Sequence, residues 1–230
     1  MNCTAEEISK MIDHAILSPQ TTIEEAKKSC KIATKFNVAS VCCKPYFLPW
    51  CVEELFGTNT VPSTVIGFPH GGQSTAIKTR EALQALKDGA VELDMVVNIG
   101  EVVNNNWPYV NKEIDEVVKI SRLVDNTLLK IIFENCYLTD EQKIKLCNIC
   151  TDAGVNFVKT STGYGERGAT VEDVQLMRKH VPKHIGVKAA GGIRDLKTLL
   201  TLVKAGANRI GVSRTAFVME EALKTKLTLP

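Results

Sequence analysis

The chain predicts a (β/α)8 barrel, the TIM-barrel form of the α/β class, with an extra N-terminal helix and one domain over residues 1–230. Three observations predict it. Eight short apolar runs alternate with helical patterns, with no linker or low-complexity segment between them. The 230 residues suit one α/β barrel, since such barrels fill roughly 200–250 residues as a single unit. One spacing also recurs, in Gly89-Ala90-x-x-Leu93-Asp94, Gly154-Val155-x-x-Val158-Lys159 and Gly206-Ala207-x-x-Ile210-Gly211. Each glycine reads as a helix C-cap, so the fifth residue beyond it stands at one height in its strand. An open doubly wound sheet is the alternative that alternation alone also permits.

In chain order, a short N-terminal helix precedes a first strand at Ile12–Pro19, closed by a proline that cannot continue it. Thr22-x-x-Glu25 is a capping box for a helix that packs through Ile23, Ala26, Cys30, Ala33 and Phe36, and Asn37 ends it in a left-handed conformation. Strand two covers Val38–Cys43 before Pro45, and strand three Ser63–Phe68 before Pro69 and the turn His70-Gly71-Gly72. Ala76, Leu83 and Leu86 mark the next helix and Val91–Val97 the fourth strand. A long helix spans Tyr109–Val124, with Pro108 in its first turn and Val110, Ile114, Val117, Ser121 and Val124 on one stripe. Leu128–Glu134 is strand five, and Thr139-x-x-Gln142 caps the helix after it. Strands six and seven are Phe157-Val158-Lys159 and Gly186-Val187-Lys188-Ala189-Ala190, with helices opened by Thr170 and Asp195. Strand eight is Arg209–Ser213.

Composition narrows the function. Lys+Arg 28 against Asp+Glu 26 leaves a net charge of +2 with no basic run, which argues against nucleic acid as a partner. No apolar run reaches the length of a membrane span and no leader pattern opens the chain, so a cytoplasmic protein is expected. The eight cysteines then read as reduced thiols, and Cys147-x-x-Cys150, lying in a helical pattern without a second pair, does not read as a zinc site. The four histidines show no ligand spacing and no Gly-x-Gly-x-x-Gly follows a strand, so neither a metal nor a dinucleotide cofactor is expected.

Chemistry concentrates in the two lysine strands. A lysine is rarely buried unless paired, and either one alone could snorkel from a strand end into solvent. Two such runs in adjacent strands instead bring two ammonium groups to one mouth, where burial and a like charge lower the pKa of one toward the free amine that attacks carbonyls. The recurring spacing puts Asp94, Lys159, Gly211 and Cys42 in one layer. Strand alternation turns Val91, Leu93 and Met95 to the helices and Glu92 and Asp94 into the barrel. Lys159 is therefore the expected nucleophile, Lys188, kept charged by Asp94, the group that depresses its pKa, and Asp94 a water-mediated proton shuttle. Glu92 and Lys130 are expected nearer the floor, neutralising each other. Gly191-Gly192 and Gly211-Val212-Ser213 end strands seven and eight, where this fold often binds phosphate through backbone N–H groups; tight turns explain the same glycines equally well.

These segments resemble the deoxyribose-phosphate aldolase family of class I aldolases. The likeness runs through Asp13-His14, Cys42, Gly67-Phe68-Pro69-His70-Gly71, Glu92-Leu93-Asp94, Val158-Lys159-Thr160-Ser161-Thr162-Gly163, Gly168-Ala169-Thr170, Val187-Lys188-x-Ala190-Gly191-Gly192-Ile193-Arg194 and Arg209-Ile210-Gly211. The resemblance implies reversible cleavage of 2-deoxy-D-ribose 5-phosphate to acetaldehyde and D-glyceraldehyde 3-phosphate. It implies Lys159 as Schiff-base lysine, Asp94 with Lys188 as relay, and substrate contacts at Asp13, Cys42, Thr162, Gly163, Gly191, Gly192, Gly211 and Ser213. No cofactor or metal is implied, and a homodimer is. The family's usual hydroxyl and cation after Asp13-His14 are here Ala15 and Ser18, proline after Lys188 is Ala189, and Arg214 follows Ser213. No tyrosine follows Tyr164, so the tail tyrosine that assists proton transfer in some members has no counterpart. Another Schiff-base sugar-phosphate aldolase, a transaldolase, and a catalytically silent sugar-phosphate-binding barrel stay open as alternatives.

Overall fold

A computed structural model describes residues 4–224. Helix α1 (Ala5–Ser9) carries a complete capping box between Thr4 and Glu7 and precedes β1 (Ile12–Ile16). Then follow α2 (Ile23–Lys35), β2 (Ser40–Cys43), α3 (Leu48–Leu55), β3 (Val61–Ile66), α4 (Thr75–Lys87), β4 (Glu92–Val96), α5 (Ile99–Val103), α6 (Trp107–Ser121) and β5 (Leu128–Ile132). The second half adds α7 (Asp140–Ala153), β6 (Phe157–Lys159), α8 (Val171–His180), β7 (Gly186–Ala190), α9 (Leu196–Lys204), β8 (Arg209–Val212) and α10 (Thr215–Lys224). The strands close in chain order into a parallel barrel, with β8 paired back to β1 through Gly211 and Asp13. Closure rules out the open sheet.

Local signals set these boundaries. Thr22 and Thr139 form full capping boxes, and Thr170 and Asp195 accept the N–H groups of Asp173 and Thr198. The expected left-handed residues are found at Asn37 (φ 51), Gly89 (φ 95), Gly154 (φ 75) and Gly206 (φ 117). These caps fix the height at which each strand begins, which is why the recurring spacing carries register.

Several boundaries differ from expectation. Strand β3 begins two residues early because Pro62 is tolerated: its carbonyl accepts Val91 N–H at 2.9 Å just before β4 starts, so no ladder donor is missed. It ends at Ile66 because Gly67 turns to φ 64 against Lys78, where a Cβ would lie 2.8 Å from Lys78 Cε. Helix α6 stops at Ser121, leaving Val124 exposed rather than on the buried stripe. Val91 precedes β4 and is also exposed, so only Leu93 and Met95 of that set reach the helices. Strand β5 ends at Ile132, and Glu134 beyond it takes φ 57. Helices α3, α5 and α10 extend the scheme read from the sequence.

Two interiors result. Outward residues such as Ile12, Val41, Leu93, Val158, Val187 and Ile210 join the apolar layer beneath the helices, where each fully buried aliphatic side chain contributes about 1.5–3 kcal/mol. Inward residues of the same strands include Asp13, Cys42, Asp94, Lys130, Lys159 and Lys188, all buried. The apolar layer stabilises the barrel, and the charged layer lies inside it.

Candidate active site

A cavity of about 390 Å³ opens where the strands end, lined by residues of β1, β2, β6, β7 and β8 and of the loops after β1, β6, β7 and β8. Asp13, Cys42, Lys159, Thr162, Gly163, Lys188, Gly191, Gly192, Gly211 and Ser213 all border it. Asp94 lies fully buried in contact with Lys159, Lys188 and Lys130. The residues read from the sequence are thus brought together, and Cys43 lies in the apolar cluster beneath the helices.

The central feature is one oxygen shared by two lysines. Asp94 Oδ2 accepts from Lys159 Nζ at 2.7 Å and from Lys188 Nζ at 2.7 Å. Strands β6 and β7 hold the two side chains level, since Lys159 and Lys188 are register partners. The predicted layer of Asp94, Lys159, Gly211 and Cys42 is found: Cys42 Sγ is 3.9 Å from Asp94 Oδ2, and a Cβ on Gly211 would sit 3.6 Å from Lys188 Cε. Gly211 leaves that space to the lysine.

The two ammonium groups are not equivalent. Burial lowers the pKa of Lys159 and Lys188 lowers it further, while Asp94 opposes both, and the net direction is down. Burial also acts on Lys188, but Asp13 Oδ2 at 2.5 Å and Asp94 Oδ2 outweigh it, and its pKa rises. Burial pushes the Asp94 carboxyl up, yet Lys130, Lys159 and Lys188 hold it well below the usual carboxylate range. Lys188 therefore holds its proton more firmly than Lys159. The Cys42 thiol is pushed up by burial and by Asp94, so it stays protonated.

Lys130 departs from expectation, because it does more than neutralise Glu92. Its Nζ donates to Glu92 Oε2 at 2.6 Å and to Asp94 Oδ1 at 2.7 Å. Arg209 was missed as a site residue: it donates to Asp13 Oδ1 at 2.6 Å and Glu92 Oε1 at 2.9 Å, with its guanidinium 5.4 Å from the Phe157 ring. The signal was present, since strand period two gives Arg209 the inward parity of Gly211. Asp13 is correspondingly engaged inside the protein, accepting also from Ser40 Oγ at 2.7 Å.

The loop after β6 is held by Glu134, a second residue not anticipated. Its carboxylate accepts the Thr162 backbone N–H at 3.2 Å and the Thr162 hydroxyl, whose oxygen in turn accepts Tyr164 N–H at 3.0 Å. The Thr162 side chain thus shapes the cavity wall with its own hydrogen already committed. Tyr164 donates its hydroxyl to Leu17 carbonyl at 2.8 Å and packs edge-on against Phe68, spanning the loops after β6, β1 and β3.

At the far side, Gly191 (φ 87) and Gly192 (φ 77) form a consecutive left-handed pair. The β6 loop packs backbone to backbone here: Ala169 N–H donates to Ala190 carbonyl at 3.0 Å, and a Cβ on Gly168 would lie 2.1 Å from Gly191 O. Ser213 and Arg194 border the cavity beside this pair. Arg214 instead lies 4.7 Å over the Phe217 ring. His14 Nδ1 lies 2.8 Å from Thr215 Oγ1, its Nε2 is buried without a hydrogen-bond partner, and burial lowers its pKa to about 4. Among the described residues no group of three or more His, Cys, Asp or Glu could hold a metal ion, and no helix is long and apolar enough to cross a membrane.

The family model described as DeoC/LacD family aldolase matches residues 7–215. A deoxyribose-phosphate aldolase of Rhodopirellula baltica is 52% identical over 218 residues, covering 95% of this chain and 90% of the relative. One from Caldanaerobacter subterraneus subsp. tengcongensis is 49% identical, covering 96% and 95%. The tetrameric deoxyribose phosphate aldolase structure from Aeropyrum pernix superposes with a TM-score of 0.86 at 30% identity, covering 95% of this chain and 92% of that one.

Proposed function

The chain belongs to the DeoC/LacD aldolase family, and from that premise we propose that it reversibly cleaves 2-deoxy-D-ribose 5-phosphate to acetaldehyde and D-glyceraldehyde 3-phosphate through an imine on Lys159. The observation that carries this reading is the Asp94 oxygen shared by two buried lysines, of which Lys188 is also paired to Asp13 while Lys159 has that oxygen as its one carboxylate contact. Free Lys159 amine adds to the C1 aldehyde of the open-chain sugar, and the carbinolamine loses water to give the iminium ion. A base removes the C3 hydroxyl proton, the C2–C3 bond breaks, and its electron pair flows to the iminium nitrogen. Glyceraldehyde 3-phosphate leaves and an enamine remains. Protonation of that enamine at carbon gives the acetaldehyde imine, which water hydrolyses to free Lys159. Lys188 and Asp94, with water, relay the protons of these steps.

The phosphate is assigned to the backbone N–H groups of Gly191, Gly192 and Ser213, with the Gly211 gap leaving room beside Lys188. Gly163, Thr162 and Cys42 shape the wall around the two-carbon end, and Asp13 acts through Lys188. The catalytic domain is taken as residues 1–230, the assembly as a homodimer and the compartment as the cytoplasm; sedimentation of the purified protein tests the assembly. A donor screen tests the reaction: acetaldehyde and glyceraldehyde 3-phosphate should give 2-deoxyribose 5-phosphate. Condensation with dihydroxyacetone but not acetaldehyde would overturn the assignment.

A further inference from the structure

The ion pairs inside the barrel form one connected lattice. Lys188 joins Asp13 to Asp94, Lys130 joins Asp94 to Glu92, and Arg209 joins Glu92 back to Asp13. Lys159 hangs from the same lattice by Asp94 alone. It contains three carboxylates, Asp13, Glu92 and Asp94, and four basic groups, Lys130, Lys159, Lys188 and Arg209. Fully ionised, it carries one excess positive charge in a buried space. It balances when one basic group is neutral. Arg209 does not give up its proton, Lys130 touches two carboxylates within 2.7 Å and Lys188 likewise. Lys159 has a single carboxylate oxygen, shared with Lys188.

We propose that Lys130 is a positioning residue for the reaction: it occupies Asp94 Oδ1, leaves Lys159 and Lys188 only Oδ2, and supplies the fixed charge that makes the lattice neutral when Lys159 is the free amine. This inference rests on Lys159 being the imine-forming lysine. The lone pair is then available for attack, while one remaining N–H still donates to Asp94 and aims the nitrogen. Other groups face Lys159 as well. Cys42 from β2 stays a neutral thiol, and Glu134 from the end of β5 directs its carboxylate to Thr162. Glu134 works against the effect, with His70 beyond it opposing Glu134 in turn, but both are constant across the variants proposed here.

The lattice gives opposite signs for two substitutions that a merely structural role would not separate. Lys130→Met removes a cation and frees Asp94 Oδ1, so Lys159 holds its proton more firmly. Glu92→Gln removes a carboxylate that balances the lattice, so Lys159 loses its proton more easily. Lys130→Arg keeps the charge. The experiment is the pH dependence of borohydride trapping of acetaldehyde on Lys159, read by mass in single turnover. The expected midpoint moves up by about one unit or more in Lys130→Met, a tenfold smaller neutral fraction at a given pH below the midpoint. It moves down in Glu92→Gln, stays near the parent in Lys130→Arg, and returns toward the parent in the double variant Lys130→Met/Glu92→Gln. An unchanged or lowered midpoint in Lys130→Met would overturn the proposal, as would equal shifts in Lys130→Met and Lys130→Arg. If Lys130→Met fails to fold, Glu92→Gln decides alone, and a midpoint that does not fall sinks the idea. Absence of any adduct on Lys159 in the parent protein would instead defeat the imine reading itself, so the two failures are distinguishable.

Discussion

Replacing Lys188 with leucine removes the ammonium group that competes with Lys159 for Asp94 Oδ2. Two nitrogens each 2.7 Å from one oxygen stand about 4 Å apart for an angle near tetrahedral at that oxygen, and unit charges at that separation interact by about 4 kcal/mol at an effective dielectric constant of ~20. That energy corresponds to roughly 3 pKa units, enough to carry a lysine from its ordinary ~10.4 toward the ~7–8 that catalytic amines need. Leucine also leaves Asp94 free to stabilise protonated Lys159, which acts in the same direction. Lys188→Leu should therefore raise the pKa governing imine formation and shift the residual rate to higher pH, beyond a simple loss of activity. Single-turnover trapping of acetaldehyde across pH measures it, with thermal melting run beside it to establish that the variant is folded. A folded variant whose midpoint is unchanged or lower would refute Lys188 as the perturbing charge.

Arg194 borders the cavity beside Gly191 and Gly192, whereas Arg214 rests over Phe217. Arg194→Ser should raise KM for 2-deoxyribose 5-phosphate several-fold while leaving KM for unphosphorylated deoxyribose near the parent, and Arg214→Ser should move neither; the reverse pattern would transfer the phosphate contact to Arg214. Away from the site, Lys78 donates to Glu113 Oε1 at 2.8 Å and to Val96 carbonyl at 2.8 Å, with both charged side chains fully buried. Lys78→Met leaves an uncompensated buried carboxylate and should cost about 3–5 kcal/mol, read by denaturant unfolding; a loss below about 1 kcal/mol, the scale of a surface pair, would contradict that account.

Much of this site was legible because its determinants are local. A glycine or asparagine C-cap fixes where a strand begins, and period-two alternation fixes which residues point inward, so Asp94, Lys159, Cys42 and Gly211 could be placed in one layer by counting. The same alternation sends Cys43, one residue on, into the apolar cluster beneath the helices. What could not be counted was the pairing created by barrel closure. Asp13 and Arg209 meet across 196 positions because β8 pairs with β1, and nothing near either residue announces the other. Lys130 shows the same limit: its inward parity was readable, but whether it met Glu92 alone or Asp94 as well depended on side-chain reach across β4 and β5. Glu134 escaped because its role depends on a left-handed backbone at a non-glycine residue, which sequence rarely signals. Strand β3 runs through Pro62 because a missing donor matters only where a neighbour strand is present to accept from it.

The central claim is that Lys159, and not its register partner Lys188, forms the covalent bond. Incubation with acetaldehyde and borohydride followed by peptide mapping tests it most directly. A reduced two-carbon adduct confined to the peptide that carries Lys159 is the predicted result. An adduct found mainly on Lys188 would contradict the account, because the lysine paired to two carboxylates would then be the one that gives up its proton.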